Sequence, residues 1–458
     1  MLESLTLENF LSFRDRTEFN FLATTEKPKK DFENIKWFRT INNKKILKSI
    51  FLFGNNGSGK SNFLFALRIL RNLIITTRDS KNPDNDILPE TYFKFEEASS
   101  RKPSTIIAVF HLSSYRYSYT ISWDSKTIVF EELKRSSGRK REELIYTRFF
   151  DEAKDVVVIK FPVKSSISKQ AQRIIRENVI RNTSVISIYD NKNFESEDIS
   201  LIYAFFENRF DFSGLDDARL DLCSMLTMRD NPEEMHDLVC EMLKCLGSNI
   251  RDFRVDSIPK KVDPKIADMF IKTFGLDVFN ERYPEGMMIE KYLRLAHDSM
   301  DPRNSKDPYI WLTEGDESRG TINMIRLLII LIDSARKNTF VTIDECAMGI
   351  HQETFNRIIQ FYLAISDKAQ AFLATQALPV LDMEGFRRDT ARFFDKDFKT
   401  GISRVESVNL RKFHANKNIY KNYVDHAFGG KPYIPSHEEW MMKLSSYQNK
   451  IQDTEGSF

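Results

Sequence analysis

Residues 51 to 64 read Phe-Leu-Phe-Gly-Asn-Asn-Gly-Ser-Gly-Lys-Ser-Asn-Phe-Leu: an apolar run, a glycine-rich turn and a Gly-Lys-Ser with no gap between them. Ile50, Phe51, Leu52 and Phe53 suit a buried strand that ends on Gly54. From Ser61 to Leu73 the residues Phe63, Leu64, Leu67, Leu70 and Leu73 recur at helical spacing, which predicts a helix. Between the two lies Gly54-Asn55-Asn56-Gly57-Ser58-Gly59-Lys60-Ser61, a complete GxxxxGK[ST] in the strand, loop and helix context that this pattern requires.

These residue types suit a phosphate cradle. Glycines at 54, 57 and 59 let backbone N–H groups turn inward, and the following helix adds its partial positive charge. Lys60 is expected to reach the β and γ phosphates and Ser61 to ligate Mg²⁺. A cradle also needs acids. Thr339-Phe340-Val341-Thr342-Ile343-Asp344-Glu345 reads as a strand ending in two of them. Asp344 there suits the metal shell, and Glu345 suits the polarising of an attacking water. The wide separation from Lys60 predicts an insertion folded out between two halves of one core.

Glu314 to Thr321 is a polar turn leading into a helix with Ile325, Leu328, Ile329 and Ile332 on one face. The Ser318-Arg319-Gly320 at its start reads either as an ordinary helix cap or as an anion site for a nucleotide held by a second subunit.

In this order, Gly54 to Ser61, Glu317-Ser318-Arg319-Gly320-Thr321 and Asp344-Glu345 resemble the ABC-type ATPases of the SMC, RecF and OLD kind. More narrowly they are similar to the AAA_15/AAA_21 ATPases of bacterial anti-phage systems. The opening Leu5-Thr6-Leu7-Glu8-Asn9-Phe10-Leu11-Ser12-Phe13 resembles the first strand and NF.SF turn of that group. Tyr115-Arg116-Tyr117-Ser118-Tyr119, Glu131-Glu132-Leu133 and Thr147-Arg148 fall where it has a β-meander ending in EEL and a short R. The resemblance covers most of 1–150 and 290–430 and much less of 150–290.

It implies an α/β, ABC-type P-loop head with a mixed sheet, flanking helices, an antiparallel β subdomain and a largely helical insertion. The implied divisions are 1–150 and 291–404 as the halves of the head, 151–290 as the insertion, and 405–458 as an extension. ATP and Mg²⁺ are the implied cofactors. Gly54, Asn55, Asn56, Gly57, Ser58, Gly59, Lys60, Ser61 and Asn62 are expected at the nucleotide, with Ser61 and Asp344 at the metal and Glu345 and Lys60 in catalysis. The resemblance also implies a homodimer or higher homo-oligomer with ATP sandwiched between heads. Ser318 and Gly320 of one copy then complete the site of its neighbour.

One position departs from that group. Its relatives end the next strand Thr-Thr-His, whereas Ala371-Phe372-Leu373-Ala374-Thr375-Gln376 places Gln376 there. Glutamine donates a hydrogen bond to phosphate but carries no imidazolium charge, which predicts slow turnover with ATP acting as a clamp. His351, after Asp344, reads equally as a loop residue or a functional one.

Composition bounds the rest. Apolar residues are 41% and charged residues 29%, with 68 basic against 66 acidic residues and a net charge of +2. That is a globular balance without a global basic field, so any polyanion contact must be a local patch. The start carries Glu3 and lacks the pattern of a signal peptide, and the longest apolar stretch, around Ile325 to Ile332, is too short for a bilayer. The 4 cysteines, Cys223, Cys240, Cys245 and Cys346, have no CxxC spacing and read as reduced structural thiols. The expectation is a cytoplasmic protein without a membrane partner.

The middle is less legible. Ser165 to Arg181 reads as an amphipathic helix whose basic residues suit a solvated face or nucleic acid, and 231 to 247 as a second helix. Lys134 to Arg141 is the strongest basic cluster and reads as a hairpin tip or a phosphate contact. In the tail, Val405 opens a strand-like stretch, Asn416 to Ala427 is helix-like, and Phe428-Gly429-Gly430-Lys431-Pro432 is a stop. No second catalytic constellation is visible, neither an acidic Toprim-like set nor an HNH pattern. That absence suggests control of a separate effector, and the resemblance implies an ATPase subunit that senses infection, with DNA or a phage protein as trigger, and controls a separate nuclease or toxin, as in PARIS, Septu and AbiL-like systems. The alternatives are a RecF-like DNA clamp in repair and an ATP-driven assembly protein.

Overall fold

The structure is a computed structural model, and it describes residues 1–26, 32–77, 88–138, 141–211, 222–227, 232–300, 307–408, 419–424 and 436–444. The chain opens with β1 (Leu2–Glu8), β2 (Thr17–Asn20), β3 (Phe38–Ile41), β4 (Lys44–Leu47) and β5 (Ser49–Gly54), then α1 (Lys60–Ile75). A meander follows: β6 (Ser104–Leu112), β7 (Tyr115–Trp123), β8 (Ile128–Ser137), β9 (Glu143–Asp151) and β10 (Val156–Lys160). Next come α2 (Lys169–Asn178), α3 (Glu197–Asn208), β11 (Phe210–Asp211), α4 (Leu222–Thr227) and α5 (Pro232–Cys245). After them run β12 (Ile250–Lys261), α6 (Pro264–Phe274), α7 (Leu276–Arg282), β13 (Met287–Asp298) and β14 (Tyr309–Thr313). The last part holds α8 (Arg319–Lys337), β15 (Phe340–Ile343), α9 (Gln352–Ile365), β16 (Gln370–Thr375), β17 (Ala391–Lys396), β18 (Ser403–Ser407) and α10 (Ile419–Val424).

Two large sheets carry the fold. One has the order β11-β15-β16-β5-β17-β18, parallel except for β18. Its central strand β5 is buried along its whole length, as a continuous apolar run predicts for a strand covered on both faces. The other is an antiparallel sheet of order β10-β9-β8-β7-β6-β1-β2. α1 lies between them, and Phe63 on it packs on Phe19 of β2 and on Phe372 of β16. The sheets are also stitched by Gln370, which is fully buried. Its Oε1 accepts from Leu2 N at 2.6 Å, and its Nε2 donates to Leu2 O and Leu47 O at 3.0 and 2.9 Å. A buried amide is tolerated there because its bonding capacity is used.

The EEL and R residues of the meander are structural. Glu131 on β8 and Arg148 on β9 are cross-strand partners, both fully buried. Glu131 accepts from Tyr119 and Tyr146 hydroxyls at 3.0 and 2.6 Å and from Val185 N at 2.9 Å, while Arg148 donates to Arg181 O at 2.8 Å. Burial raises the Glu131 pKa, and Arg148 and the hydroxyl donors oppose the rise.

The middle segment holds α2 to α7, as expected of a largely helical stretch, together with two features that the sequence does not reveal. Residues 151–211 are not set apart from the head: β10 pairs with β9, and Ala171, Ile175, Ile202 and Phe206 lie in the core that holds Leu5 and Phe63. Within 250–298, β12 and β13 form a long antiparallel ribbon extended by β14. Leu293, Leu295 and Ala296 are buried at the base of the ribbon, while α6 and α7 stand at its far end. The expected helices are present as α2 and α5, shorter than the periodic stretches. On α2, Arg173 pairs with Glu177 at 2.7 Å on the solvated face. In the basic cluster, Arg135 is committed to Asp198 at 2.9 Å, and Arg139 and Lys140 lie outside the described residues. Of the tail, β18 and α10 are described, whereas Phe428 to Pro432 and the last residues lie outside them. Among the described residues no helix is long and apolar enough to cross a membrane.

Candidate functional site

Parallel order brings β15, β16 and β5 side by side, so Asp344, Gln376 and the loop after Gly54 meet at the carboxyl ends of these strands, where open α/β sheets bind ligands. Close approach requires glycine at two of the loop's positions, Gly54 and Gly59. A Cβ on Gly54 would lie 2.4 Å from Phe394 O, and one on Gly59 would lie 2.7 Å from Ser403 Oγ. Gly59, at φ +113, hands the chain into α1, whose first turn has no side-chain cap, unlike α2, α3, α6, α8 and α9. Its N–H groups therefore face the loop without a protein acceptor from a cap, which suits an anion.

Lys60 arches back over this loop, donating to Gly54 O at 2.7 Å and Asn55 O at 2.9 Å. Burial lowers its pKa, and Asp344 and Glu345 partly offset that. Ser61 Oγ donates to Asp344 Oδ2 at 2.6 Å, joining residues 283 apart in the chain. A hydroxyl and a carboxylate held together at a phosphate loop are the hard oxygen donors that Mg²⁺ takes, so these residues fit the metal. Glu345 follows in the left-handed region, φ +50, a costly conformation for a residue with a side chain. Its N–H donates to Asp344 Oδ1 at 3.1 Å, and its Oε1 accepts from Gln376 Nε2 at 3.2 Å.

The Ser318 turn gives a mixed result. Ser318 caps α8, accepting from Thr321 N at 3.0 Å, and is exposed. A Cβ on Gly320 would fall 2.2 Å from Gly349 O, in the loop after Glu345, so glycine here is a packing requirement. Among the described residues, the hydrogen bonds of Ser318 stay within this turn and do not reach the P-loop. His351 is a cap as well: its Nδ1 accepts from Glu353 N at 3.3 Å at the start of α9. The Asn62 amide donates to Ser12 Oγ at 2.8 Å and braces α1 against the first turn.

Sequence reading missed the residues that support the loop from afar. Ser403 Oγ donates to Ser58 O at 2.7 Å, and Ser403 N donates to Ser12 O at 2.7 Å. Ser12 lies in the NF.SF turn and was visible through it, but Ser403 has no local signal. His297 and Glu317, paired at 2.6 Å, likewise fix the turn before Ser318 and belong to elements far apart in sequence.

A P-loop between a buried parallel strand and a helix, with Ser61 bonded to Asp344 and Glu345 next to it, defines the class as a P-loop nucleotide-binding fold. Residues 49–216 match the family model AAA_21, described as "AAA domain, putative AbiEii toxin, Type IV TA system". No curated protein matches the chain. Among solved structures, it is similar to the SMC head domain from Thermotoga maritima, at 11% identity over 89% of this chain and 99% of that one, with a TM-score of 0.39. It is also similar to an Smc head domain bound to the C-terminal domain of ScpA derived from Pyrococcus furiosus, at 12% identity, 90% and 97% coverage and a TM-score of 0.35. A third likeness is to the recombination mediator protein RecF with ATP, at 13% identity, 89% and 97% coverage and a TM-score of 0.31. These three scores are low, and the class rests on the P-loop geometry and the domain match.

Proposed function

We propose that this chain is the ATP-binding and slowly hydrolysing subunit of an anti-phage defence system, and that ATP-dependent assembly of its heads controls a separate nuclease or toxin. The observation that carries the reading is the Ser61–Asp344 bond with Glu345 beside it, next to the P-loop of an AAA_21 domain. The chain's residues divide the work. Loop N–H groups and Lys60 bind phosphate oxygens, and Ser61 and Asp344 would hold Mg²⁺, which supplies charge neutralisation at the phosphates when bound. Glu345 accepts a proton from the attacking water, and Gln376 orients its carboxylate. Ser318, exposed at the start of α8, and Gly320 beside it then serve the site of a second copy.

The reading is tested by isolating the Glu345→Gln protein from its host with ATP and Mg²⁺ and weighing the assembly by native mass spectrometry. A stoichiometric nuclease or toxin in that assembly supports it. Recovery of this chain with DNA alone moves the function to a repair clamp.

A further inference from the structure

Away from the nucleotide, α5 and β12 bring three metal-ligating side chains to one point. His236 and Cys240 are one helical turn apart on α5, and Asp252 faces them from β12. His236 Nε2 lies 2.7 Å from Asp252 Oδ1, and Cys240 Sγ lies 3.8 Å from each of those atoms. Phe253 O adds an oxygen 3.1 Å from the same ring nitrogen. Sulfur, carboxylate and carbonyl oxygen therefore converge on one imidazole nitrogen, more acceptors than its single hydrogen serves.

We propose that His236, Cys240 and Asp252 form a zinc-type transition-metal site that pins α5 to β12. Imidazole, thiolate and carboxylate together select a borderline metal such as Zn²⁺ over Mg²⁺ or Ca²⁺. A tetrahedral ion with its usual bond lengths separates such ligands by roughly 3.3–3.6 Å, so the pair at Sγ closes slightly and the His236–Asp252 pair opens. The other ring nitrogen is already oriented: Nδ1 lies 3.0 Å from Asp237 Oδ1, the carboxylate partner that metal-bound histidines commonly have. His236 also lines a cavity of about 470 Å³ together with Glu233, Asp237 and Arg254, which leaves water or the Glu233 carboxylate available as a fourth ligand. Binding exchanges protons for metal. The ion takes the place of the Cys240 thiol proton and of any proton on His236 Nε2, and the displaced protons leave to solvent, so metal affinity should fall as pH is lowered.

The test uses the full chain, stripped with chelator and titrated with Co²⁺ as a spectroscopic stand-in for zinc. The expected result is one equivalent bound with a thiolate-to-cobalt charge-transfer band that Zn²⁺ displaces. That band should vanish in Cys240→Ser, survive in Cys245→Ser and Lys60→Ala, and need about 10- to 100-fold more metal in Asp237→Asn. X-ray absorption of the unmutated zinc-loaded protein should show one sulfur in the coordination shell, a result that does not depend on any variant folding. No stoichiometric uptake, a shell without sulfur, or a band that follows Cys245 or Lys60 overturns the proposal.

Discussion

Gln376 Nε2 donates to Glu345 Oε1 at 3.2 Å, so the residue leaving β16 holds the carboxylate that follows β15. A neutral amide in this place orients the Glu345 carboxylate without adding charge. Gln376→His is expected to raise ATP turnover by up to about tenfold, equivalent to ~1.4 kcal/mol of barrier. Steady-state hydrolysis checks it, and a rate equal to or below that of the unaltered protein removes Gln376 from the switch role.

The Ser61–Asp344 bond predicts a shared phenotype. Ser61→Ala and Asp344→Asn should each abolish Mg²⁺-dependent tightening of nucleotide binding while leaving the fold intact, because both groups are at the surface end of the sheet. Lys60→Ala should lose nucleotide binding with or without the metal. Calorimetric titration with ATP, in Mg²⁺ and in chelator, separates the two patterns.

Gly320 and Ser318 should respond differently. Gly320→Ala drives a methyl toward Gly349 O and is expected to cost about 1–3 kcal/mol of stability, seen as a lower Tm. Ser318→Ala should cost about 1 kcal/mol through loss of the cap. Ser318→Asp keeps a capping oxygen but adds negative charge. If Ser318 faces the γ-phosphate of a second copy, this variant is stable and fails to assemble with ATP.

Acid should loosen one corner of the antiparallel sheet. Burial alone would raise the Glu3 pKa, but hydrogen bonds from His111 and Arg116 outweigh it and bring the value from 4.5 down to about 2. A depressed carboxylate stabilises the fold above its unfolded pKa, and the contribution is lost as pH falls from about 4.5 through about 2. The Tm difference between the unaltered protein and Glu3→Gln should thus be full at pH 6 and shrink steadily across that window.

What could be read from sequence was what is contiguous. Gly54 to Ser61 and Phe340 to Glu345 each carry strand, turn and chemistry within a few residues, so both were visible. Their meeting was an inference from residue type, since the Ser61–Asp344 contact joins residues 283 apart in the chain. Ser403, by contrast, supports Ser58 through one hydroxyl in an ordinary polar strand, and nothing local marks it. The ribbon of β12 and β13 was missed for another reason. Arg251 to Lys261 is mostly charged and exposed beyond Val255, so it lacks the apolar alternation of a half-buried strand. Its pairing comes from the backbone of β13.

The central claim, that Glu345 is the base of an ATP site that assembles the chain, is tested most directly with the Glu345→Gln protein. ATP binding, hydrolysis and assembly mass would be measured on one preparation. The account predicts undiminished ATP binding, hydrolysis reduced by at least about 100-fold and a stable ATP-bound oligomer. Hydrolysis at the rate of the unaltered protein would contradict it.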